Sequence, residues 1–459
     1  MQNNYLVRTT NFTKYFTLII LLFSSSFLAC KSSLEEDLAP VTAVKNTPTA
    51  VVNENSPSDN ASGEDGSADT TGTSSSEGTT TPTPTETESN PGTPTAPATP
   101  ATPTAPATPA TPAGSATPTT PATPATPEKS NVIPNRTLKN SFNFPIGAAV
   151  DMDRLNGSTY NNVVSREFSS VTAESSMKFG AVHPSKDVFN FKKADAIVAF
   201  AKKNNMRVHG HTLIWPKDSL APAWLLNFKG DSTAWDNLLK THIQTVVKHF
   251  KGQVASWDVV NEAYADNGTL KDNIWLRKIG PDYISKAFLY AHQADPNALL
   301  FLNDYGQEFG GKKMTAILNL VANLRKCNIR IDGLGFQMHT VVRLDTKGLK
   351  TNVDKAVAAG LLVHFSELDV SVRYQKPEYF KLDDALAATQ AAKFKEIVKV
   401  YLSIPKALQF GITTWGVSDA DSFMNSNVAN KDHDYPLLFD KNYNAKPAYK
   451  SFIEAGLGK

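Results

Sequence analysis

From Phe144 to the C-terminus the chain alternates two patterns of apolar residues. Short, nearly continuous apolar runs predict strands at residues 144–150, 170–174, 207–215, 256–262, 299–304, 333–339, 362–369 and 410–416. Between most of these runs, apolar positions recur every three or four residues, as they do along one face of a helix. This spacing predicts helices over 194–205, 234–250, 281–294, 312–328, 382–402 and 446–455. In 194–205, for instance, Ile197, Val198 and Phe200 are apolar while Lys202 and Lys203 are polar. Repeated strand-then-helix units predict a (β/α)8 barrel with a closed parallel sheet. An open doubly wound sheet is the competing arrangement, but no Gly-rich phosphate loop follows the first strand.

Before residue 131 both patterns vanish. Residues 31–130 are dominated by Thr, Pro, Ala, Ser and Gly. Such a segment cannot bury enough surface to offset its chain entropy, so it is expected to be a disordered linker. Its Ala-Thr-Pro repeats favour extended polyproline geometry. Residues 131–459 hold the globular domain.

Residues 1–30 read as a leader. Arg8 and Lys14 precede an uncharged run at 15–28, which is short and Ser-rich for a membrane span and fits a signal peptide. The run ends Phe27-Leu28-Ala29-Cys30, similar to a bacterial lipoprotein cleavage site. Cleavage there would leave Cys30 as a lipidated N-terminus anchored in a membrane. The following Lys31-Ser32-Ser33-Leu34-Glu35-Glu36-Asp37 resembles the surface-export signal of Bacteroidetes lipoproteins. The expected location is therefore the cell envelope, as an outer-membrane lipoprotein facing the exterior. A secreted protein whose discarded leader contains a cysteine is the alternative.

Charge divides at the same boundary. Residues 1–130 carry 5 Lys/Arg and 12 Asp/Glu, and the remainder carries 41 and 32. The basic residues of the globular part are scattered, which argues against a nucleic-acid partner. Two cysteines are too few for a disulfide-stapled scaffold. Nothing in the motifs calls for a metal or an organic cofactor, and a monomer is expected.

The predicted strands share one feature. Glu174, His211, Trp215, Asn261, Glu262, Asn303, Asp304, Gln337, His339, Glu367 and Trp415 all stand at or near their C-terminal ends. In a barrel that end is the catalytic face. A polar cleft lined with aromatic rings suits a sugar polymer: rings cover the C–H faces of the sugars while carboxylates, amides and imidazoles bond the hydroxyls. Hydrolysis of a glycosidic bond needs two carboxyl groups, and Glu262 and Glu367 are candidates. Strand alternation points Glu367 and Asp369 to one side. His339 could bridge them, oriented by Asp369 and holding Glu367 ionised. Barrel-rim ion pairs are the structural alternative for each acidic residue.

At this point the sequence resembles glycoside hydrolase family 10, the endo-β-1,4-xylanases, from about Phe144 to Phe452. The similarity rests on His209-Gly210-His211-Thr212-Leu213-Ile214-Trp215, Trp257-Asp258-Val259-Val260-Asn261-Glu262 and Asn303-Asp304-Tyr305. It extends to Gly333-Leu334-Gly335-Phe336-Gln337-Met338-His339, Glu367-Leu368-Asp369 and Thr414-Trp415-Gly416-Val417-Ser418-Asp419. The resemblance implies retaining endo-hydrolysis of xylan, with Glu262 as acid/base and Glu367 as nucleophile. It further implies that Asn261 bonds the sugar 2-hydroxyl at subsite −1, and that Lys178, His211, Gln337 and Trp415 line that subsite beside Trp215. Tyr305 would lie toward the leaving group and Glu174 would contact subsite −2.

Three departures fall on the glycone side of the pattern. The family's Glu-Asn-x-Met-Lys is here Glu174-Ser175-Ser176-Met177-Lys178. The segment from Trp215 to Trp224 is longer than usual and carries Lys217 and Asp218 in place of the family's His and Gln. Phe423 stands where a Trp is usual. They suggest an enzyme tuned to a decorated xylan. A surface glycan-binding lipoprotein without activity, or a glycosidase for another β-linked glycan, are the competing readings. Retention of both carboxylates with Asn261, Gln337 and His339 favours an enzyme.

Overall fold

The computed structural model describes residues 130–373, 380–425 and 434–459. The leader, Cys30 and the linker up to residue 129 lie outside the described residues. Eight strands close into a parallel barrel: β1 (Ile146–Val150), β2 (Ser170–Ala173), β3 (Arg207–Gly210), β4 (Ser256–Asn261), β5 (Leu299–Asp304), β6 (Gly333–Phe336), β8 (Leu362–Ser371) and β9 (Gln409–Thr414). β9 returns to pair with β1, with Ile146 opposite Ile412 and Ala148 opposite Thr414. A short extra strand, β7 (His339–Val341), pairs with the far end of β8. The barrel strands are buried along nearly their whole length. Helices cover their outer faces and side chains fill the interior, which explains their continuous apolar runs.

One longer helix follows each barrel strand before the next: α1 (Ser158–Glu167), α2 (Lys192–Lys203), α3 (Ser232–His249), α4 (Tyr283–Ala294), α5 (Gly311–Lys326), α6 (Thr346–Ala358) and α7 (Asp384–Leu402), with α8 (Pro447–Gly456) after β9. Side-chain caps fix several starts. Asp231, Asp345 and Asp383 accept hydrogen bonds from first-turn N–H groups of α3, α6 and α7. Among the described residues no helix is long and apolar enough to cross a membrane.

The barrel floor is closed by a layer of rings. His209, His364, Phe301 and Phe410 pack mutually with centroids 4.5–6.2 Å apart. The Arg207 guanidinium lies 3.8 Å over Phe410. Burial, with His209 and Arg207 nearby, holds His364 well below the usual imidazole range, so it is neutral there.

Two expected strands are interrupted. The run at 207–215 leaves the sheet after Gly210, and only Ile214 rejoins it, by a bridge to Val260. The run at 333–339 breaks at Met338, whose φ is +62°, and His339 then pairs with Asp369 rather than continuing β6. α1 and α6 had no counterpart among the expected helices.

Candidate active site

The C-terminal mouth of the barrel collects every site residue expected in the globular part. Glu174 and Lys178 follow β2; His211 and Trp215 follow β3; Asn261 ends β4 with Glu262 next. Asp304 ends β5 and Tyr305 follows it. Gln337 follows β6, His339 opens β7, Glu367 and Asp369 lie on β8, and Trp415 follows β9.

Two backbone irregularities aim the acidic groups. Asn261 and Glu262 are consecutive, and plain strand alternation would send them to opposite faces. Glu262 takes a left-handed φ of +56°, so the chain turns and both side chains serve the cleft. A non-glycine residue held there carries strain of about 1–3 kcal/mol, a feature concentrated at functional sites. On β8 the register against β9 shifts between Phe365 and Leu368, a bulge that contains Ser366 and Glu367. Both of these side chains then reach Asn303. Ser366 Oγ donates to Asn303 Oδ1 at 2.6 Å, and Asn303 Nδ2 donates to Glu367 Oε1 at 2.6 Å.

The amides form a chain between the two carboxylates. Asn303 Nδ2 also donates to Asn261 Oδ1 at 2.9 Å. Gln337 Nε2 donates to the same oxygen at 3.1 Å and to Glu262 Oε1 at 3.4 Å. With two donors on its oxygen, Asn261 is left with Nδ2 as its free donor. The sequence marks Asn303 as a polar strand end and as part of the Asn303-Asp304-Tyr305 motif, without a role; here it fixes both Asn261 and Glu367.

The environments of the carboxylates differ. Glu367 is buried, and its other oxygen accepts from His339 Nε2 at 3.1 Å. His339 Nδ1 donates to Asp369 Oδ2 at 2.7 Å. An imidazole that donates from both nitrogens is an imidazolium. Burial alone would lower the His339 pKa, but Asp369 and Glu367 raise it well above the ordinary value. Burial would likewise raise Glu367, but the His339 hydrogen bond and the charges of His211 and His339 hold it below the usual carboxylate range. Glu367 is thus kept ionised. Glu262 is more open and faces the Lys271 ammonium, with Nζ 3.3 Å from Oε2. Lys271 was not anticipated. An Asn267-Gly268 turn five residues downstream of Glu262 was the available signal, since such turns fold the chain back on itself and return Lys271 toward Glu262.

Below the cleft, His211 Nδ1 lies 2.9 Å from Asp258 Oδ2 and fixes the imidazole under Trp415, 5.1 Å between ring centroids. His209 Nε2 lies 3.0 Å from the same carboxylate oxygen, off the line of a hydrogen bond. Burial alone would raise Asp258, yet His209 and His211 hold it well below its ordinary range. Lys178 lies 4.9 Å from the Trp215 ring centroid. Burial lowers the Lys178 pKa against the pull of Glu367, Glu174 and Glu262. Burial raises Glu174.

The departures occupy distinct places. Ser175 is exposed, and Lys217 lies 5.5 Å from the Trp215 ring centroid. The Asp218 carboxylate is engaged within the protein: its Oδ1 accepts the Ile274 N–H at 2.9 Å and its Oδ2 meets Arg277. Phe423 sits edge-on to His339, centroids 5.0 Å apart, and so lies on the support of Glu367. Among the described residues no group of three or more His, Cys, Asp or Glu side chains could hold a metal ion.

Residues 135–455 match the family model described as glycosyl hydrolase family 10. The chain is 37% identical over 337 residues to endo-1,4-beta-xylanase B of Thermotoga neapolitana, covering 71% of this chain and 92% of that protein. It is 39% identical over 318 residues to a beta-1,4-xylanase of Dictyoglomus thermophilum, covering 68% of this chain and 88% of the relative. The crystal structure of native xylanase 10B from Thermotoga maritima superposes with a TM-score of 0.65 at 35% identity, over 70% of this chain and 98% of that one.

Proposed function

The chain belongs to glycosyl hydrolase family 10, and from that premise we infer that it is an endo-1,4-β-xylanase that cleaves xylan with retention of anomeric configuration. Glu367 is the nucleophile and Glu262 the acid/base. The observation that carries this assignment is the contrast between them. Glu367 is buried and held ionised by Asn303 and by the His339–Asp369 pair. Glu262 is the more open group, joined to it through Gln337, Asn261 and Asn303.

In the first step Glu367 attacks the anomeric carbon while Glu262 gives its proton to the departing oxygen. In the second, Glu262 takes a proton from water as water displaces Glu367. Asn261 Nδ2 is free to donate to the sugar 2-hydroxyl. Trp415 and Trp215 offer ring faces to the sugar, with Lys178 and His211 beside them. Glu174 extends the cleft on the glycone side and Tyr305 on the leaving-group side.

Proton NMR of early hydrolysis tests the assignment: the first reducing ends must be β. Glu367→Ala must abolish turnover, and Glu262→Ala must spare dinitrophenyl substrates relative to unactivated ones. First-formed α ends, or equal losses of Glu262→Ala on both substrate types, would overturn it.

The preferred substrate is a decorated xylan. A cavity of about 270 Å³ opens beside Lys178 and Trp215, walled also by Ser175, Lys217, Ala221 and Trp275. Trp215 Nε1 is buried there without a partner among the described residues. Space and the Lys217 ammonium suit an acidic substituent; Asp218 also borders the cavity, but its carboxylate is engaged by the Ile274 N–H and Arg277. Comparing linear with glucuronate-bearing oligosaccharides tests this preference. The protein works as a monomer, tethered through lipidated Cys30 to the outer membrane and facing outward. Release of the protein into the medium by Cys30→Ser, with loss of palmitate labelling, tests the anchor.

A further inference from the structure

The segment after Glu262 folds back on itself. Tyr264 bridges Leu270 in antiparallel fashion, the Ala265 N–H donates to Thr269 O at 2.9 Å, and the Lys271 N–H donates to Ala263 O at 2.9 Å. The turn passes through Gly268, whose φ is +84°. A Cβ at Gly268 would stand 2.8 Å from the backbone oxygen of Lys312, so the hairpin is pinned against the start of α5. This return path is what sets Lys271 Nζ 3.3 Å from Glu262 Oε2.

Lys271 has a second neighbour. Its Nζ lies 4.6 Å from the Tyr305 ring centroid. That ring is itself fixed by the buried Lys313, 3.6 Å from the centroid and 2.9 Å from Asp304 Oδ1. Burial works against the charge on Lys271, but Glu262, Asp304 and Tyr305 raise its pKa, so it is an ammonium. The charged groups facing this corner are Lys271 and Lys313 on one side, and Glu262, Asp304 and Asp266 on the other. Lys178 contributes from the loop after β2.

A retaining acid/base group has two different states. Before the first step Glu262 is a neutral acid, and a neutral acid gains little from an adjacent ammonium. Once its proton has gone to the departing oxygen, Glu262 is an anion with an empty cleft beside it. The next event is proton abstraction from water, and it needs this carboxylate held in place. A charge-assisted hydrogen bond from Lys271 serves that state and not the first.

We propose that Lys271 is a positioning residue for the second half-reaction: it holds the Glu262 carboxylate while water attacks, and turns to Tyr305 when a leaving sugar is bound and Glu262 carries its proton. Lys271 exchanges no proton in either step. The proposal rests on Glu262 being the acid/base.

Aryl xylobiosides separate the two halves. With a dinitrophenyl leaving group the first step is fast and kcat reports the second. With a phenyl leaving group the first step limits. Lys271→Met is expected to lower kcat on the dinitrophenyl substrate about tenfold or more, the scale of one charge-assisted hydrogen bond. KM should fall with it as the glycosyl-enzyme accumulates, and rapid mixing should show a burst of dinitrophenol. On the phenyl substrate kcat should change by less than about threefold, and this also shows that the variant is folded. Lys271→Arg should restore most of the dinitrophenyl rate. Equal losses on both substrates, or no fall in KM, would overturn the proposal. Glu262→Ala, run beside it, distinguishes the causes. If Glu262→Ala also fails to discriminate leaving groups, the acid/base assignment falls and the proposal with it. If it discriminates and Lys271→Met does not, only the role of Lys271 falls.

Discussion

Gly335 has no side chain because Asn303 occupies the space one would fill. A Cβ there would lie 2.2 Å from Asn303 Oδ1. Asn303 would have to move, and it carries one hydrogen bond to Glu367 and one to Asn261. Gly335→Ala should therefore lower kcat/KM roughly 10- to 100-fold, the value of one or two such bonds in the transition state. The far-ultraviolet circular dichroism should not change. Asp369 acts at one remove, through His339. Burial would lower the pKa of that imidazole, and the two carboxylates raise it well above 6.5. A histidine with a raised native pKa contributes stability that is complete below 6.5 and is lost as pH rises through the native value. Asp369→Asn removes the closer anion, so the His339 ring should titrate at lower pH. Nitrogen NMR of the ring, recorded against pH, checks the direction. The same variant should lose activity on the alkaline side earlier than the parent does.

The elements that were legible from sequence are those whose pattern survives into the structure. β5 matches its predicted limits, and α7 differs from its predicted limits only at its first residues. α1 escaped because only Tyr160, Val163 and Val164 among its residues are buried and apolar, in a segment rich in Asn and Ser. α6 escaped because Gly348 lies in its first turn, although Asp345 caps it and Leu349, Asn352, Val353 and Ala356 are buried at helical spacing. The breaks at His211 and Met338 are set by neighbouring strands rather than by local preference, so no local pattern announces them. Of the site, the strand-end residues were visible as polar interruptions of apolar runs. Lys271 was signalled only by the Asn267-Gly268 turn of its local hairpin, and the linking role of Asn303 depends on long-range packing with Asn261 and Glu367. Between elements, Lys446 before α8 is buried with Nζ 3.0 Å from Asp419 Oδ2, and it also donates to Leu437 O at 2.7 Å. Lys446→Met would strand the Asp419 carboxylate in the interior. The expected loss is about 3–5 kcal/mol, read from denaturant unfolding.

At the scale of the whole molecule, the two ends of the globular part are clasped together. Glu167 Oε2 accepts from the Leu138 N–H at 3.0 Å and from the Tyr449 hydroxyl at 2.9 Å, joining the N-terminal segment to α1 and α8. Asn131 Nδ2 donates to Ala445 O at 3.1 Å. A chain beginning at residue 130 keeps these contacts and should match the full-length protein in kcat/KM on xylohexaose. One beginning at residue 141 keeps the Glu167–Tyr449 bond but loses the Leu138 and Asn131 contacts together with buried Leu138, which should cost about 2–4 kcal/mol in thermal unfolding. The sealed floor of His209, His364, Phe301 and Phe410 has a bearing on product chemistry. Rings pack the floor beneath the glycosyl-enzyme, so water and a second sugar share the open mouth of the barrel as their doorway. Hydrolysis and chain transfer then become rivals for one vacancy. As oligosaccharides accumulate, the traffic at that doorway, rather than any change in the carboxylates, sets how often a xylan fragment is lengthened instead of released.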